Sequence, residues 1–459
     1  MYRARLAAVF RGADPRVCTA FWLFGNPVPQ SWRVVNRSSL MSVLLGLINN
    51  VLYVIILSAA LDLVGPSVPK GVVLLCDVIP SFLMKLCAPY FIYAIPYPVR
   101  VILFSALSAV GMLLIALTPP YVDGGTITTK MAGVVLASMS SGGGELSFIS
   151  LTHFYGPFSL ASWGSGTGGA GLIGAGAYAL ATTTVGLSSK NTIFASAFLP
   201  VIMLVSFFII LPRKPMTRQA ATTLSRTEAL RVTEDEVDEG SDPREVLEEE
   251  GLLSQSSSFS GSKPFTKFKS QSWGAVFLQN LRRSRSLFFP YMLPLLLVYI
   301  AEYTINQGVA PTLLFPLPDS PFKHYRAFYP TYNAIYQSGV FISRSSTPFL
   351  RIQNLYLPSL LQCVNLAILI LQALFGFIPT VWIVFAIVFW EGLLGGAVYV
   401  NTFAEISDRV AKDEREFSLG AVTVSDSGGV CIAGFIGMAL EVGLCSWQIS
   451  HGKDWCRQL

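Results

Sequence analysis

The sequence predicts an all-α polytopic membrane protein with about eleven transmembrane helices. Its 459 residues are 52% hydrophobic and only 13% charged, whereas a soluble chain carries about 25% charged residues. Its mean hydropathy is +0.55, and runs of roughly eighteen or more mostly apolar residues recur along it. Backbone polar groups must be paired inside lipid, so we expect each of these runs to be a helix.

The candidate spans fall into two groups, six before a long polar loop and five after it. They form an N-terminal helix bundle over 39–211 and a C-terminal helix bundle over 288–442, followed by a tail over 443–459. We predict the spans at 39–62, 71–95, 99–118, 129–153, 158–182, 190–211, 288–313, 330–348, 355–376, 378–402 and 417–442.

The loop over 212–287 is the clearest linker. Its segment 234–250, "EDEVDEGSDPREVLEEE", has ten acidic residues against one arginine, and a serine-rich stretch follows. Such a composition cannot bury a core, so we expect the loop to be disordered. Lysine and arginine are concentrated on one side of the spans, which places this loop and the N-terminal segment 1–38 in the cytosol. An odd number of spans then places the tail on the luminal side.

The fourth span contains an unexpected carboxylate. Ser138, Ser141 and Glu145 lie on one helical stripe of that span. The three glycines at 142–144 allow a neighbouring helix to approach closely. A charge near the centre of a bilayer costs about 2.5–3.5 kcal/mol, so ionisable residues in spans persist mainly where they face protein or water. Acidic and basic residues on six spans therefore predict a wet central cavity.

Individual roles follow from side-chain chemistry. Asp77 and Lys85 share a face of the second span about 12 Å apart, so each needs a partner on another helix. Burial favours the protonated form of a carboxyl group, which makes Glu145 and Glu302 candidates for proton coupling. Arg344 and Lys85 are candidates for binding an anionic group. Any one of these residues can instead belong to a fixed interhelical ion pair. The predicted substrate and proton pathway comprises Asp77, Lys85, Glu145, Glu302, Asn306, Arg344, Glu391 and Asp426.

Three short motifs remain. "GSGTGG" at 164–169 matches a dinucleotide fingerprint but opens an apolar helix, so its small residues indicate tight helix packing. "EEEGLL", with Glu248, Leu252 and Leu253, resembles adaptor-recognised dileucine sorting signals and suggests delivery to a vacuole or lysosome; the alternative is a chance match in an acidic loop. The final "CRQL" places Cys456 where a prenyl group is attached, although the next two residues are not aliphatic and the predicted tail is luminal.

Stretches in nearly every span resemble the battenin family of lysosomal and vacuolar membrane proteins. They are "NNVLYVIILSAALDL", "DVIPSFLMKLCAPY", "SSGGGELSFISLTHFY", "SWGSGTGGAGLIGA", "AEYTINQG", "YQSGVFISRSS" and "EGLLGGAVYVNTF". The resemblance implies a major-facilitator-like fold of two six-helix halves, here with one helix missing or unrecognised. It also implies roles in vacuolar pH homeostasis and in vacuolar transport, notably of basic amino acids, and its lysosomal members are linked to glycerophosphodiester clearance. Family positions of functional importance match Lys85, Glu302 and Arg344.

One departure from the family lies near the N-terminus. The family runs "FWLFG" directly into "LINN", whereas here about twenty extra residues with two prolines intervene, over 26–46. Either a short N-terminal segment lies outside the membrane or an intron has been retained, and we favour the second hypothesis.

These observations lead to two hypotheses of function. The first is a secondary transporter of the vacuolar or lysosomal membrane, with a basic amino acid such as arginine, or a glycerophosphodiester, held between the halves and coupled to protons. The second is a non-transporting scaffold that regulates vacuolar acidification and protein traffic. No nucleophile–base set or metal-ligand spacing is visible, so we predict no enzyme, cofactor or metal. The expected partners are a small-molecule substrate, protons, the lipid bilayer and sorting adaptor complexes on the central loop, without nucleic acid.

Overall fold

Long α-helices dominate the structure, as the recurrent apolar runs predict. The computed structural model describes residues 30–59, 70–92, 95–119, 124–155, 157–211, 282–453 and 455–458. In these residues helices α1 to α11 run, in chain order, over Gln30–Ser58, Lys70–Cys87, Tyr97–Leu117, Gly124–Leu151, Pro157–Ala179, Ser189–Ile210, Arg282–Thr312, Phe328–Ser345, Tyr356–Phe375, Val381–Arg409 and Lys412–Ser450. Helices α6 and α7 include short irregular or π-helical turns.

Each of these helices coincides with one predicted span, which confirms the all-α membrane fold. Within the described residues, eight helices are long and apolar enough to cross a membrane. The other three, α2, α5 and α8, are less apolar because they contain polar or small residues. Helix α2 carries Asp77 and Lys85, α5 is rich in glycine and serine, and α8 contains tyrosine, glutamine and Arg344. These are the helices that contribute much of the polar lining of the central cavity.

Several helices extend beyond their predicted limits, α1 and α11 by the most at one end. Helix α1 begins at Gln30, so it includes most of the predicted insertion, whose origin remains a prediction. Helix α11 continues to Ser450 instead of ending near 442. There the buried Gln448 donates hydrogen bonds from Nε2 to the carbonyl oxygens of Thr312 and Ala373, at 2.9 and 2.7 Å. Tertiary contacts therefore stabilise the helix past the point where its apolar pattern stops.

The helices before residue 212, α1–α6, are called the first half, and those from residue 282 onward, α7–α11, are called the second half. In the first half α1 packs on α5 and α3 on α4, and in the second α8 packs on α10 and α7 on α11. Helices α5 and α2 of the first half meet α8 and α11 of the second. All of these helices belong to one compact unit.

Glycines allow the closest helix contacts. A Cβ atom added to Gly111 of α3 would lie 2.6 Å from the carbonyl oxygen of Gly133 in α4, and one added to Gly133 would lie 2.7 Å from that of Gly111. In α5, Gly166 lies against the backbone of Val43 in α1, and Gly168 lies against the side chain of Arg344 in α8. The "GSGTGG" stretch is therefore a packing surface, as predicted.

The helix ends collect at two opposite faces of the bundle. At the face where α11 begins, called face A, the Tyr97 hydroxyl of α3 donates to Glu416 Oε1 at 2.6 Å. At the face where α11 ends, called face B, Trp455 stacks on Tyr325, with ring centroids 6.0 Å apart. The sequence-based orientation assigns face A to the cytosol and face B to the lumen.

The α3–α4 contact makes a specific stability prediction. Substitution Gly133→Ala is expected to lower the thermal unfolding midpoint of the purified protein, because overpacking against a backbone oxygen costs about 1–3 kcal/mol. The matched control is Gly176→Ala in α5, since nothing lies within 4 Å of a Cβ atom there. The measurement is thermal unfolding in detergent, and equal midpoints for the two variants would contradict the packing assignment.

Candidate functional site

A cavity of about 120 Å³ lies between the two halves. A space of this size holds several water molecules. Its charged wall residues are Asp77, Lys85, Glu145, Arg344 and Asp426, and its aromatic wall residues are Tyr53, Tyr299, Tyr303 and Tyr336. Five of the predicted pathway residues therefore meet in one place, although they come from four different helices.

Lys85 lies at the centre of a buried ion-pair cluster. Its Nζ atom is 2.6 Å from Glu145 Oε2 and 2.9 Å from Asp426 Oδ1. The lysine side chain is only 2% exposed, so its charge depends on these two carboxylates. Because Lys85 and Glu145 belong to the first half and Asp426 to the second, the cluster joins the halves.

The glycine run beside Glu145 has a packing role in this arrangement. Gly142 faces the backbone of Ser81 in α2, Gly143 faces the ring of Phe104 in α3, and Gly144 faces the side-chain oxygen of Asn49 in α1. Three consecutive glycines thus admit three different helices. This close approach brings α4 near enough to α2 for Glu145 to reach Lys85.

The other oxygen of Glu145 extends the cluster into the second half. Glu145 Oε1 accepts a hydrogen bond from the Tyr399 hydroxyl of α10 at 2.7 Å. The same hydroxyl accepts from Trp163 Nε1 of α5 at 3.2 Å. Both oxygens of Glu145 are therefore occupied by fixed partners, one cationic and one neutral.

Arg344 of α8 has polar neighbours but no carboxylate in ion-pair contact among the described residues. Its two terminal nitrogens donate to Thr167 Oγ1 of α5 and to the Tyr299 hydroxyl of α7, each at 2.9 Å. Its guanidinium carbon lies 4.0 Å from the ring centroid of Tyr399, in a cation–π contact. Its Nε–H has no hydrogen-bond partner in the described part of the chain. The site therefore contains a positive charge that an anionic group can neutralise.

Asp77 is the second incompletely satisfied group at the cavity. The residue is buried, and its carboxylate oxygen Oδ2 has no hydrogen-bond partner among the described residues. Its backbone oxygen accepts from the Ser138 hydroxyl of α4. The sequence predicts a partner on another helix for both Asp77 and Lys85. Among the described residues, the structure shows an ion pair for Lys85 but not for Asp77.

Three predicted residues lie away from this cluster, inside the second half. Glu302 of α7 accepts at Oε1 from the Tyr336 hydroxyl of α8. Asn306 Nδ2 donates to Glu391 Oε1 of α10 at 3.2 Å. Tyr336 is at the cavity wall, whereas Glu302, Asn306 and Glu391 are not. The predicted pathway thus divides into a group at the cavity and a group behind Tyr336.

Several residues of the site were missed by sequence reasoning. Tyr336 lies two helical turns before Arg344, so the helical period places both on one face and provides a usable signal. Thr167 is hidden in the glycine run that we interpreted as packing only. Trp163 has no signal in the sequence, because an indole in an apolar helix is normally a core residue.

The remaining predicted positions lie at the end of the chain and in the loop. Cys456 forms a disulfide with Cys445 near face B. Its sulfur is therefore not free for a prenyl group in this structure, because the chain turns back after α11. Glu248, Leu252 and Leu253 of the sorting motif lie outside the described residues. No group of three or more potential metal ligands occurs among the residues that the structure describes.

Similar solved structures identify the fold. The chain resembles the human organic anion transporter MFSD10, with a TM-score of 0.50, 16% identity and coverage of 94% of this chain and 96% of that chain. It also resembles the major facilitator superfamily proton:xylose symporter XylE, with a TM-score of 0.50, 12% identity and coverage of 93% and 92%. At such low identities these likenesses establish the major facilitator fold alone.

Two curated relatives have a much higher sequence identity to this chain than these solved structures have. Protein btn1 of Aspergillus fumigatus is 63% identical over 457 residues, which cover 99% of this chain and 94% of the relative. Protein btn-1 of Neurospora crassa is 56% identical over 469 residues, covering 100% and 95%. The sequence model of the CLN3 protein family matches residues 40–447. The chain therefore belongs to the CLN3 (battenin) family, which the motifs of its spans resemble.

Proposed function

We propose that the protein is a secondary transporter of the vacuolar or lysosomal membrane that carries a small ionic solute with protons and contributes to vacuolar pH homeostasis. The observation that supports this is the cavity between the two halves, whose wall carries cationic and anionic side chains together. Charged groups in a membrane interior are costly, and they typically mark the path of a substrate or an ion. A scaffold that binds only through its loop and tail has no need of them.

The unsatisfied groups at the cavity indicate the chemistry of the solute. Arg344 has one N–H without a partner and Asp77 has one carboxylate oxygen without a partner, both counted over the described residues. A basic amino acid such as arginine can place its carboxylate against Arg344 and a cationic group against Asp77. A glycerophosphodiester can place its phosphate against Arg344, since guanidinium groups bind phosphates well. Both candidate solutes therefore depend on Arg344.

The ion-pair cluster supports an alternating-access mechanism. Lys85 lies in the last turn of α2, and Glu145 lies near the end of α4, where Ser150 Oγ donates to the carbonyl oxygen of Glu416 at face A. The cluster therefore joins the halves on the side of the cavity nearer to face A. We propose that it closes this end, and that opening to the cytosol requires separation of Lys85 from Asp426.

The proposed orientation places face A, the N-terminal segment and the central loop in the cytosol. The Cys445–Cys456 disulfide at face B supports it, because disulfides persist in oxidising compartments and are rare in the cytosol. A cytosolic loop also makes the dileucine motif at Glu248–Leu253 accessible to sorting adaptor complexes. Delivery to the vacuole through those adaptors is part of the proposal.

Reconstituted transport tests the function directly. Purified protein in liposomes is expected to take up a labelled basic amino acid or glycerophosphodiester faster with a pH gradient than without one. Arg344→Gln is expected to lower the initial rate by about tenfold or more, because a hydrogen bond to a charged group contributes about 1.5–3 kcal/mol. The matched control is Arg351→Gln, since Arg351 pairs with Asp408 at the surface. Undiminished uptake by Arg344→Gln would reject this role of the cavity.

Charge removal tests the ion-pair cluster. Lys85→Met is expected to lower the free energy of unfolding by about 3–5 kcal/mol, because it leaves two buried carboxylates without their cation. Adding Glu145→Gln and Asp426→Asn should restore much of this loss, since a neutral set needs no counter-ion. Thermal unfolding of the purified variants measures both effects. If the triple variant is no more stable than Lys85→Met, Lys85 does not act through these carboxylates.

Cysteine labelling tests the orientation. In sealed vesicles with the cytosolic side outward, a variant retaining only Cys445 and Cys456 should react with a membrane-impermeant maleimide only after reduction and permeabilisation. The control is Asp408→Cys in a cysteine-free chain, because Asp408 is exposed at face A and should react without permeabilisation. The reverse pattern would show that face B is cytosolic.

A further inference from the structure

Two fully buried carboxyl groups lie inside the second half without a cation. Glu302 is 1% exposed and Glu391 is 0% exposed. One oxygen of each, Oε2, has no hydrogen-bond partner among the described residues. No lysine, arginine or histidine in the described chain lies within ion-pair distance of either. This distinguishes them from Glu145 and Asp426, which share Lys85.

The local backbone brings the two groups to one place. A π-helical turn at Ile305–Val309 follows Glu302 in α7. From this turn Asn306 Nδ2 donates both to Glu391 Oε1, at 3.2 Å, and to the carbonyl oxygen of Glu302, at 3.1 Å. The carboxyl of Glu302 occupies the space beside Gly395, which lies one turn after Glu391 in α10. Both carboxyls therefore face the same interface between α7 and α10.

Other titratable groups around the pair do not neutralise it. Tyr336 of α8 contacts Glu302 directly. The other described titratable residues within electrostatic reach of the pair are Tyr299 and Tyr303 of α7 and Arg344 of α8. Arg344 directs its terminal nitrogens to Thr167 and Tyr299 instead. Two neighbouring carboxylates in a buried, low-dielectric interior strongly disfavour ionisation of both. A bound proton removes one charge and supplies a donor for an unpaired oxygen.

We propose that Glu302 and Glu391 form a proton-binding site within the second half, separate from the ion-pair cluster that joins the halves. The Tyr336 hydroxyl connects this site to the cavity, since it donates to Glu302 while Tyr336 lines the cavity wall. The role of this proton in coupling rests on the proposed transport function, whereas the binding of the proton does not.

Arg344 provides a physical link between the proton and the two halves. When the site loses a proton, it gains a negative charge within electrostatic reach of Arg344. That charge competes for the guanidinium with Thr167, which is the hydrogen-bond partner of Arg344 in the first half. Release of the proton therefore weakens a contact between the halves, and uptake of the proton restores it.

Infrared spectroscopy of the purified protein tests the site without any substrate. Difference spectra between acidic and alkaline buffer should contain a protonated-carboxyl C=O band in the wild type. Glu302→Gln and Glu391→Gln should each alter or remove that band, whereas Glu145→Gln should leave it unchanged, because Glu145 is ion-paired with Lys85. A band that is absent from the wild type, or that survives either substitution at the pair unchanged, overturns the proposal.

Two further variants control for misfolding and test whether protons reach the site through Tyr336. Glu391→Asp keeps a carboxyl but moves it, so it should shift the band without removing it, and an unshifted band overturns the assignment. Tyr336→Phe keeps both carboxyls and should slow exchange of the band in deuterated water severalfold; unchanged exchange overturns the route through Tyr336.

Uptake measured in the same preparations separates the two proposals. A wild type that shows the band but transports none of the tested solutes counts against the transporter and leaves the proton site standing. Transport that is insensitive to pH, in a protein without the band, overturns the proton site and leaves the transporter standing.

Discussion

The buried charge of Lys85 constrains the whole arrangement of this bundle. An isolated ammonium group in the interior carries a desolvation penalty of several kcal/mol, so the fold must supply compensating anions. It does so from two separate helices, with Glu145 at 2.6 Å and Asp426 at 2.9 Å. Because these carboxylates belong to different halves, satisfying one side chain requires the halves to meet at a defined position. The glycine run at 142–144 then becomes a requirement of packing, since bulkier residues would keep α4 away from α1, α2 and α3.

The other buried ionisable groups have different surroundings from those of Lys85. Arg344 is surrounded by neutral hydroxyls and an aromatic ring, which stabilise a guanidinium but do not cancel its charge. Within the described residues Arg344 is therefore a positive charge without an ion-pair partner at the cavity wall, and in the proposed function it binds an anionic group of the solute. Glu302 and Glu391 have neither a cation nor a full set of hydrogen-bond donors in the described structure. The most economical way to satisfy such groups is protonation.

These three kinds of surroundings suit three different roles in the proposed mechanism. In the proposed mechanism the paired charge of Lys85 fixes the geometry between the halves, Arg344 attracts a ligand, and the carboxyl pair of Glu302 and Glu391 holds a proton. The separation is spatial as well as chemical, because Tyr336 stands between the carboxyl pair and the cavity. A change of charge at the pair can nevertheless reach the cavity, since Arg344 lies within electrostatic range of Glu302.

Hydropathy and helical period are local properties of the chain. For that reason the sequence was enough to predict the approximate positions of the described helices, the polar composition of the central loop and the residues that carry charge. The family followed from short motifs in the same spans. The tertiary structure alone decided the pairing, because Lys85 is separated from Glu145 by 60 residues and from Asp426 by 341. No local pattern specifies which carboxylate will neutralise which cation across such distances. The separation of Glu302 and Glu391 from the cavity and the extension of α11 also depend on contacts between distant helices, since both are set by packing.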